Sequence, residues 1–284
     1  MVFGSFIAGA TSEGGGAIAF PIFTKVLNIT PLDAKVFSLA IQSVGMMAAT
    51  FTMLVMKIKV EWRIVFWASI GGLVGITIGS VLLAPLFPAN LLKMLFTAMI
   101  SSFALTLFLV NWRPRQYNET LSIIHFREQR ILIFAGVFGG TMTGLVGNGI
   151  DIFCFSVMVL MFRLSEKVST ATSVVLMAFN SVAGFILHYY VVGGFNSQVK
   201  EYWLAAIPVV VVGAPLGAYF CTRLNNKTIA VILMILISIE LISSLMMVEI
   251  TSSIAYISLG VFVIFLFIYY RLDRINWYKK DLGA

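Results

Sequence analysis

The chain has 284 residues, 60% of them hydrophobic and only 11% charged, with a mean hydropathy of +1.00. A soluble domain needs roughly a quarter of its residues charged to cover its surface, so the composition excludes a water-soluble globular protein and marks an integral membrane protein. The formal charge of +7 does not point to nucleic acid, because the basic residues lie in short loops and the tail, where span orientation places them.

In chain order, the first apolar segment, 3–27, is interrupted by "TSEGGGAIAFP" (11–21). Each interior glycine costs a helix ~1 kcal/mol relative to alanine. An ionised side chain at the bilayer centre costs at least about 2.5–3.5 kcal/mol. A continuous helix has no use for this combination, so a break with a task is expected here. Uninterrupted apolar runs follow at roughly 36–56, 64–86 and 91–110, each near the ~20 residues that a bilayer core requires. A connector at 113–130 carries Arg113, Arg115, Arg127 and Arg130. Beyond it lies a second interrupted segment, 131–162, broken near "VGNGID". Runs at 168–192, 203–222, 228–248 and 250–270 and a basic tail complete the chain. The expected organisation is a first transmembrane repeat (1–112), a cytoplasmic connector (113–130), a second repeat (131–248) and a final helix with its tail (249–284). No basic n-region or cleavage site is evident, so no cleavable signal peptide is expected. Cys154 and Cys221 lack metal or disulfide spacing and read as small buried side chains.

Offsetting the sequence by 135 positions aligns "FGSFIAGATSEGGGAIAF" (3–20) with "FGGTMTGLVGNGIDIFCF" (138–155) without a gap. Gly4, Gly9 and Gly14 meet Gly139, Gly144 and Gly149; farther on, Ser38 meets Ser173 and Ala48 meets Ala183. The shared glycine ladder and the matching order of spans indicate an internal duplication. Lysine and arginine in short loops then set orientation. The tail, with Arg271, Arg274, Lys279 and Lys280, is expected in the cytoplasm, and counting back puts Arg223, Lys227, Arg163 and Lys167 there too. The connector and the Lys57–Lys59–Arg63 loop join them only if 131–162 dips into the membrane and returns. Each repeat is therefore expected to be all-α, with a re-entrant pair of half-helices plus three spans, the second copy inverted relative to the first. The rival is nine full spans, with both glycine-rich segments kinked.

Irregular backbone at membrane depth is tolerated only where protein or a water-filled cavity satisfies it. A half-helix that begins after such a break aims its N-terminal amides and positive dipole end at the gap, which suits an anion. The run Gly9, Gly14, Gly15, Gly16 and Pro21, followed by "NITPLDAKVFS", resembles the sulfite exporter (TauE/SafE) family of membrane transporters. So does the second copy, with Gly144, Gly147 and Gly149 followed by "LSEKVSTATSVV". The resemblance implies a secondary transporter of sulfite, organosulfonates or related small anions, which is not an enzyme. The chain departs from the family pattern in "GNGID", in Ser156 opposite Pro21, and in the acids Glu13 and Asp151 beside the breaks.

Intramembrane acids are functional by default, and Glu13 and Asp151 could carry a coupling proton, serve as cation ligands, or cap half-helices. Glu240 has no repeat-related acid and could pair structurally. Ser38, Gln42 and Ser43 form one polar stripe; Ser169, Thr170, Thr172, Ser173 and Asn180 form another. Either could line a path or pack helices. The expected substrate-binding set is Glu13, Gly14, Gly15, Gly16, Ser38, Gln42, Gly147, Asn148, Gly149, Asp151, Thr172, Ser173 and Asn180. His188, Tyr189 and Tyr190 read as an interfacial aromatic belt. No catalytic set, metal cluster or cofactor motif is read. The expected partners are a small anion, membrane lipid and, as an oligomeric option, a second copy in a homodimer. Transport of a cation or metal ion by the same acids, and a non-transporting membrane partner, are the competing functions.

Overall fold

The computed structural model describes residues 1–13, 29–111, 117–121 and 125–274. These residues are helical almost throughout, and eight helices are long and apolar enough to cross a membrane. A half-length helix, α1 (Val2–Ala10), comes first. Three rods follow: α2 (Pro31–Val55), α3 (Trp62–Thr77, continued by a π-helix over Ile78–Leu83) and α4 (Ala89–Asn111). The second half holds α5 (Phe126–Val146), the short α6 (Ile150–Leu160), α7 (Glu166–Leu187, ending in a π-helical turn at His188–Val192), α8 (Ser197–Arg223) and α9 (Asn226–Met247). Helix α10 (Ser252–Arg274) is last. All seven uninterrupted apolar runs of the sequence are helices.

Local signals explain where the helices begin. Thr30, Ser165, Asn196 and Asn225 each turn a side-chain oxygen onto the amide three residues ahead, capping α2, α7, α8 and α9. Such a cap satisfies an amide that has no partner inside the helix. The starts of α2 and α7 differ by 135 positions (166 − 31), and so do those of α3 and α8 (197 − 62).

Packing follows the same register. Gly9 of α1 abuts α8 so closely that a Cβ there would lie 1.9 Å from the Ala214 carbonyl oxygen. At positions 135 farther on and 135 back, Gly144 of α5 abuts α3, where a Cβ would lie 3.0 Å from the Gly79 Cα. Each half therefore packs its first helix against the other half, α1 on α8 and α5 on α3, through small residues that let membrane helices approach. Helices α2 and α7 lie side by side in opposite directions. Leu39 and Val36 of α2 lie against Gly184 and Gly194, whereas at the far end of α2 the Glu61 amide donates to Thr172 Oγ1 at 3.1 Å.

Helices α5 and α6 form a hairpin: the Phe138 and Phe153 rings meet at 4.7 Å, and the Ile150 amide donates to Thr143 Oγ1 at 2.9 Å. Chain segments on either side of this hairpin meet: the Asn118 amide donates to the Arg163 carbonyl at 2.8 Å and the Ser165 amide to the Asn118 carbonyl at 2.9 Å. By length α5 is a full rod of 21 residues and only α6, with 11, is a half-helix. The basic loops gather at this same end of the molecule. Lys59 pairs with Glu119, Arg63 donates to the Leu121 carbonyl, Arg163 to the Asp273 carbonyl and Lys167 to the Thr222 carbonyl.

The interior is filled by side chains such as Phe103, Phe155 and Tyr269, whose rings meet edge to face. The outer wall is apolar: Tyr256, Leu259 and Phe267 on α10 are all more than half exposed, as befits lipid-facing positions.

Candidate functional site

The second break is built by two glycines with φ of +99° (Gly147) and +143° (Gly149), a region that side chains other than glycine seldom adopt. Between them stands Asn148. The free amides at the start of α6 are not left for a ligand: Asp151 Oδ1 accepts from the Gly149 amide at 3.1 Å and from the Ile152 amide at 3.0 Å. Of the roles left open for Asp151, the cap of its half-helix is the one these contacts make. A carboxylate so close in sequence closes over its own N-terminus, the most local solution available.

The carbonyls at the end of α5 are met from α2. Lys35 Nζ donates to the Gly144 carbonyl at 3.2 Å, and Gln42 Nε2 and Ser38 Oγ reach the Gly147 carbonyl at 3.2 and 3.4 Å. A cation against the negative end of a helix is the favourable placement.

The first break begins after Ala10, where Thr11 returns its amide and hydroxyl to the Ile7 carbonyl. Gly14, Gly15 and Gly16 lie outside the described residues. Asn148 Nδ2 donates to the Glu13 carbonyl at 3.4 Å, so the two breaks touch at positions equivalent in the 135-residue register. Glu13 is buried, at 2% exposure, and neither of its carboxylate oxygens has a hydrogen-bond partner among the described residues.

Beside this meeting point lies a cavity between α1, α2, α4, α8 and the second break, whose polar lining is Ser5, Ser38, Gln42, Lys93 and Asn148. About 70 Å³ of it is open to the centres of water-sized molecules. One water needs about 10–15 Å³ by that measure, so the space suits a few waters or one small oxyanion. Gln42 Oε1 is without a partner among the described residues. Lys93 is paired with Glu240 of α9, and both are buried. Glu13 lies within electrostatic reach of Lys93, Glu240 and Asp151.

The structure thus assembles Ser38, Gln42, Gly147, Asn148, Gly149 and Asp151 around one point, with Glu13 touching it. Thr172, Ser173 and Asn180 do not line this cavity. Thr172 serves the Glu61 amide and the Val168 carbonyl, Ser173 returns to Thr170, and Asn180 Nδ2 to Leu176, with its Oδ1 turned toward Gly72 of α3. Among the described residues, no group of three or more His, Cys, Asp or Glu side chains is arranged to hold a metal ion.

The model of the family described as Sulfite exporter TauE/SafE matches residues 1–244. The chain belongs to the TauE/SafE sulfite exporter family. That family consists of membrane transporters, not enzymes. The match ends before α10 begins. No curated protein and no solved structure matched the chain.

Within a TauE/SafE chain the unforeseen residues are Lys35 and Lys93. Each is a lone lysine in the first turns of an apolar helix, a position from which a long side chain can ordinarily snorkel to the interface. Packing turns both inward instead, and each is 6% exposed. Glu240, for which pairing was one option, is paired with Lys93. His188 departs from the aromatic belt: it is wholly buried and neither ring nitrogen has a hydrogen-bond partner among the described residues, whereas Tyr189 and Tyr190 face outward.

Proposed function

We propose that the protein is a secondary transporter that carries a small anion, of the sulfite or organosulfonate class, through the cavity where the two breaks meet. The observation that carries this reading is the cavity's lining: the Lys93 ammonium supplies positive charge, and Asn148, Gln42 and serine hydroxyls can donate to oxyanion oxygens. Membership in the sulfite exporter family supports the same substrate class. Glu13 and Asp151 frame the site rather than bind the anion directly, and a proton on Glu13 is the coupling candidate.

Alternating access is proposed to arise from two inverted repeats, 1–112 and 131–248, that rock about the touching breaks. The reciprocal Gly9–Ala214 and Gly144–Gly79 packing and the opposed directions of α2 and α7 support this. The α5–α6 hairpin is read as re-entrant because the segments before and after it meet, at Asn118 and at Arg163 and Ser165. The basic end of the molecule, including the C-terminal side of α10, is read as cytoplasmic, in the cell's inner membrane.

The test is flux of sulfite, a small sulfonate and a divalent cation into proteoliposomes. Anion flux without cation flux is expected. Cation flux without anion flux would overturn the assignment and turn the carboxylates into ligands. For coupling, Glu13→Gln is expected to change the pH profile of anion flux; an unaltered profile removes the proton from the mechanism.

A further inference from the structure

The Lys93–Glu240 pair joins α4 to α9 inside the protein, and one turn along the Thr97 hydroxyl donates to Ser244 Oγ at 3.0 Å. Both charged side chains are withdrawn from the surface, with 7% and 2% of their areas exposed. Stability does not account for them, since a buried ion pair is often no better than apolar residues of the same volume. The duplication does not account for them either, because the positions equivalent to Lys93 and Glu240 hold Thr228 (93 + 135) and Leu105 (240 − 135). What distinguishes the pair is its place: Lys93 lines the cavity and Glu240 does not. The other oxygen of Glu240, Oε2, has no hydrogen-bond partner among the described residues, and the attachment to Lys93 runs through Oε1.

We infer that Glu240 is a tethered stand-in for the transported anion, holding Lys93 until a substrate oxyanion in the cavity takes its place. Lys93 is then the specificity-determining cation of the site. The exchange of one anionic partner for another unfastens α4 from α9, which links occupancy of the cavity to movement between helices. The inference rests on the anion-transport reading and adds to it the identity of the counter-charge and its competitor. A ligand that must displace an internal competitor binds more weakly by the fraction of protein already freed, so removing the competitor tightens binding.

The experiment is sulfite binding by titration calorimetry to the purified full chain, comparing wild type with Glu240→Gln, Lys93→Gln and the double variant. Glu240→Gln is expected to bind sulfite about tenfold or more tightly than wild type, and to turn over more slowly in proteoliposomes because release is slowed. Lys93→Gln is expected to lose binding and to unfold at lower temperature, with Glu240 left buried and unpaired. The double variant is expected to recover the unfolding temperature without recovering binding, which separates recognition from folding. Glu240→Asp, with a shorter reach to Lys93, gives an intermediate affinity and serves if Glu240→Gln does not fold. Wild-type anion flux combined with equal or weaker sulfite binding by the Glu240 variants overturns this inference alone. Failure of wild type and every variant to bind or move any anion overturns the functional reading and this inference together.

Discussion

Asp151 shows how one residue changes the meaning of a motif. Its carboxylate holds two amides of α6, so Asp151→Ala should lower stability by about 1 kcal/mol, the usual worth of such a cap, read as a lower unfolding temperature in detergent. Asp151→Asn keeps an acceptor and should lose less. At Gly149 the backbone φ of +143° and a Cβ that would lie 2.8 Å from Met142 Cβ act together. Gly149→Ala should therefore cost about 1–3 kcal/mol, in line with strained backbone elsewhere, and reduce flux with it. Glu61, just before α3 at the basic end, is 7% exposed, and its carboxylate accepts from the Leu121 amide at 3.2 Å. Burial raises its pKa above the ordinary glutamate value, while the Leu121 amide and Arg63 pull it down. A raised value in the folded state means that its stabilising contribution is present below the unfolded pKa and is lost as pH rises through the folded one. Glu61→Gln should thus be no less stable than wild type at pH 7 and should flatten the fall in unfolding temperature from acid to neutral pH.

At the scale of helices, the closest approaches are made by glycine and are repeated in both halves. Gly75 of α3 faces α5 so that a Cβ would lie 2.1 Å from the Val137 carbonyl oxygen, while Gly260 of α10 has nothing within 4 Å. Gly75→Ala should force the two helices apart and cost about 1–3 kcal/mol, the usual penalty of overpacking. Gly260→Ala, the control, should leave the unfolding temperature unchanged or slightly raised, because alanine is the better helix former. Equal effects at the two positions would show that the α3–α5 contact does not hold the fold together. Runs of apolar residues located these helices well, since a span's length is a property of the sequence alone. The break in 131–162 was legible at Gly147 and Gly149, but the unequal lengths of α5 and α6 were not, because apolar character continues across both.

For the whole molecule, the distribution of charge orders the topology. Basic side chains from residues far apart in the chain, among them Lys59, Arg63, Arg163 and Lys167, meet at one end, and the Glu119 carboxylate is held below its ordinary pKa there by the hydrogen bond and charge of Lys59. If that end is cytoplasmic, single-cysteine variants Lys59→Cys and Glu119→Cys should react with a membrane-impermeant thiol reagent only from the cytoplasmic face, and Gln198→Cys only from the other. Labelling of Lys59→Cys and Gln198→Cys from the same face would refute the arrangement.

The class of the protein, its seven unbroken apolar runs, the place of its second break and the 135-residue spacing of the helix starts were all written in the linear order of residues. They depend on local composition, on glycine and on spacing, which do not need a partner. The charges at the site were decided only by tertiary structure. Lys93 and Glu240 stand 147 residues apart, and each lies in a helix whose apolar residues leave its rotation about its axis unspecified. Whether such a lysine snorkels to the lipid surface or turns toward an acid is determined by which neighbours pack beside it.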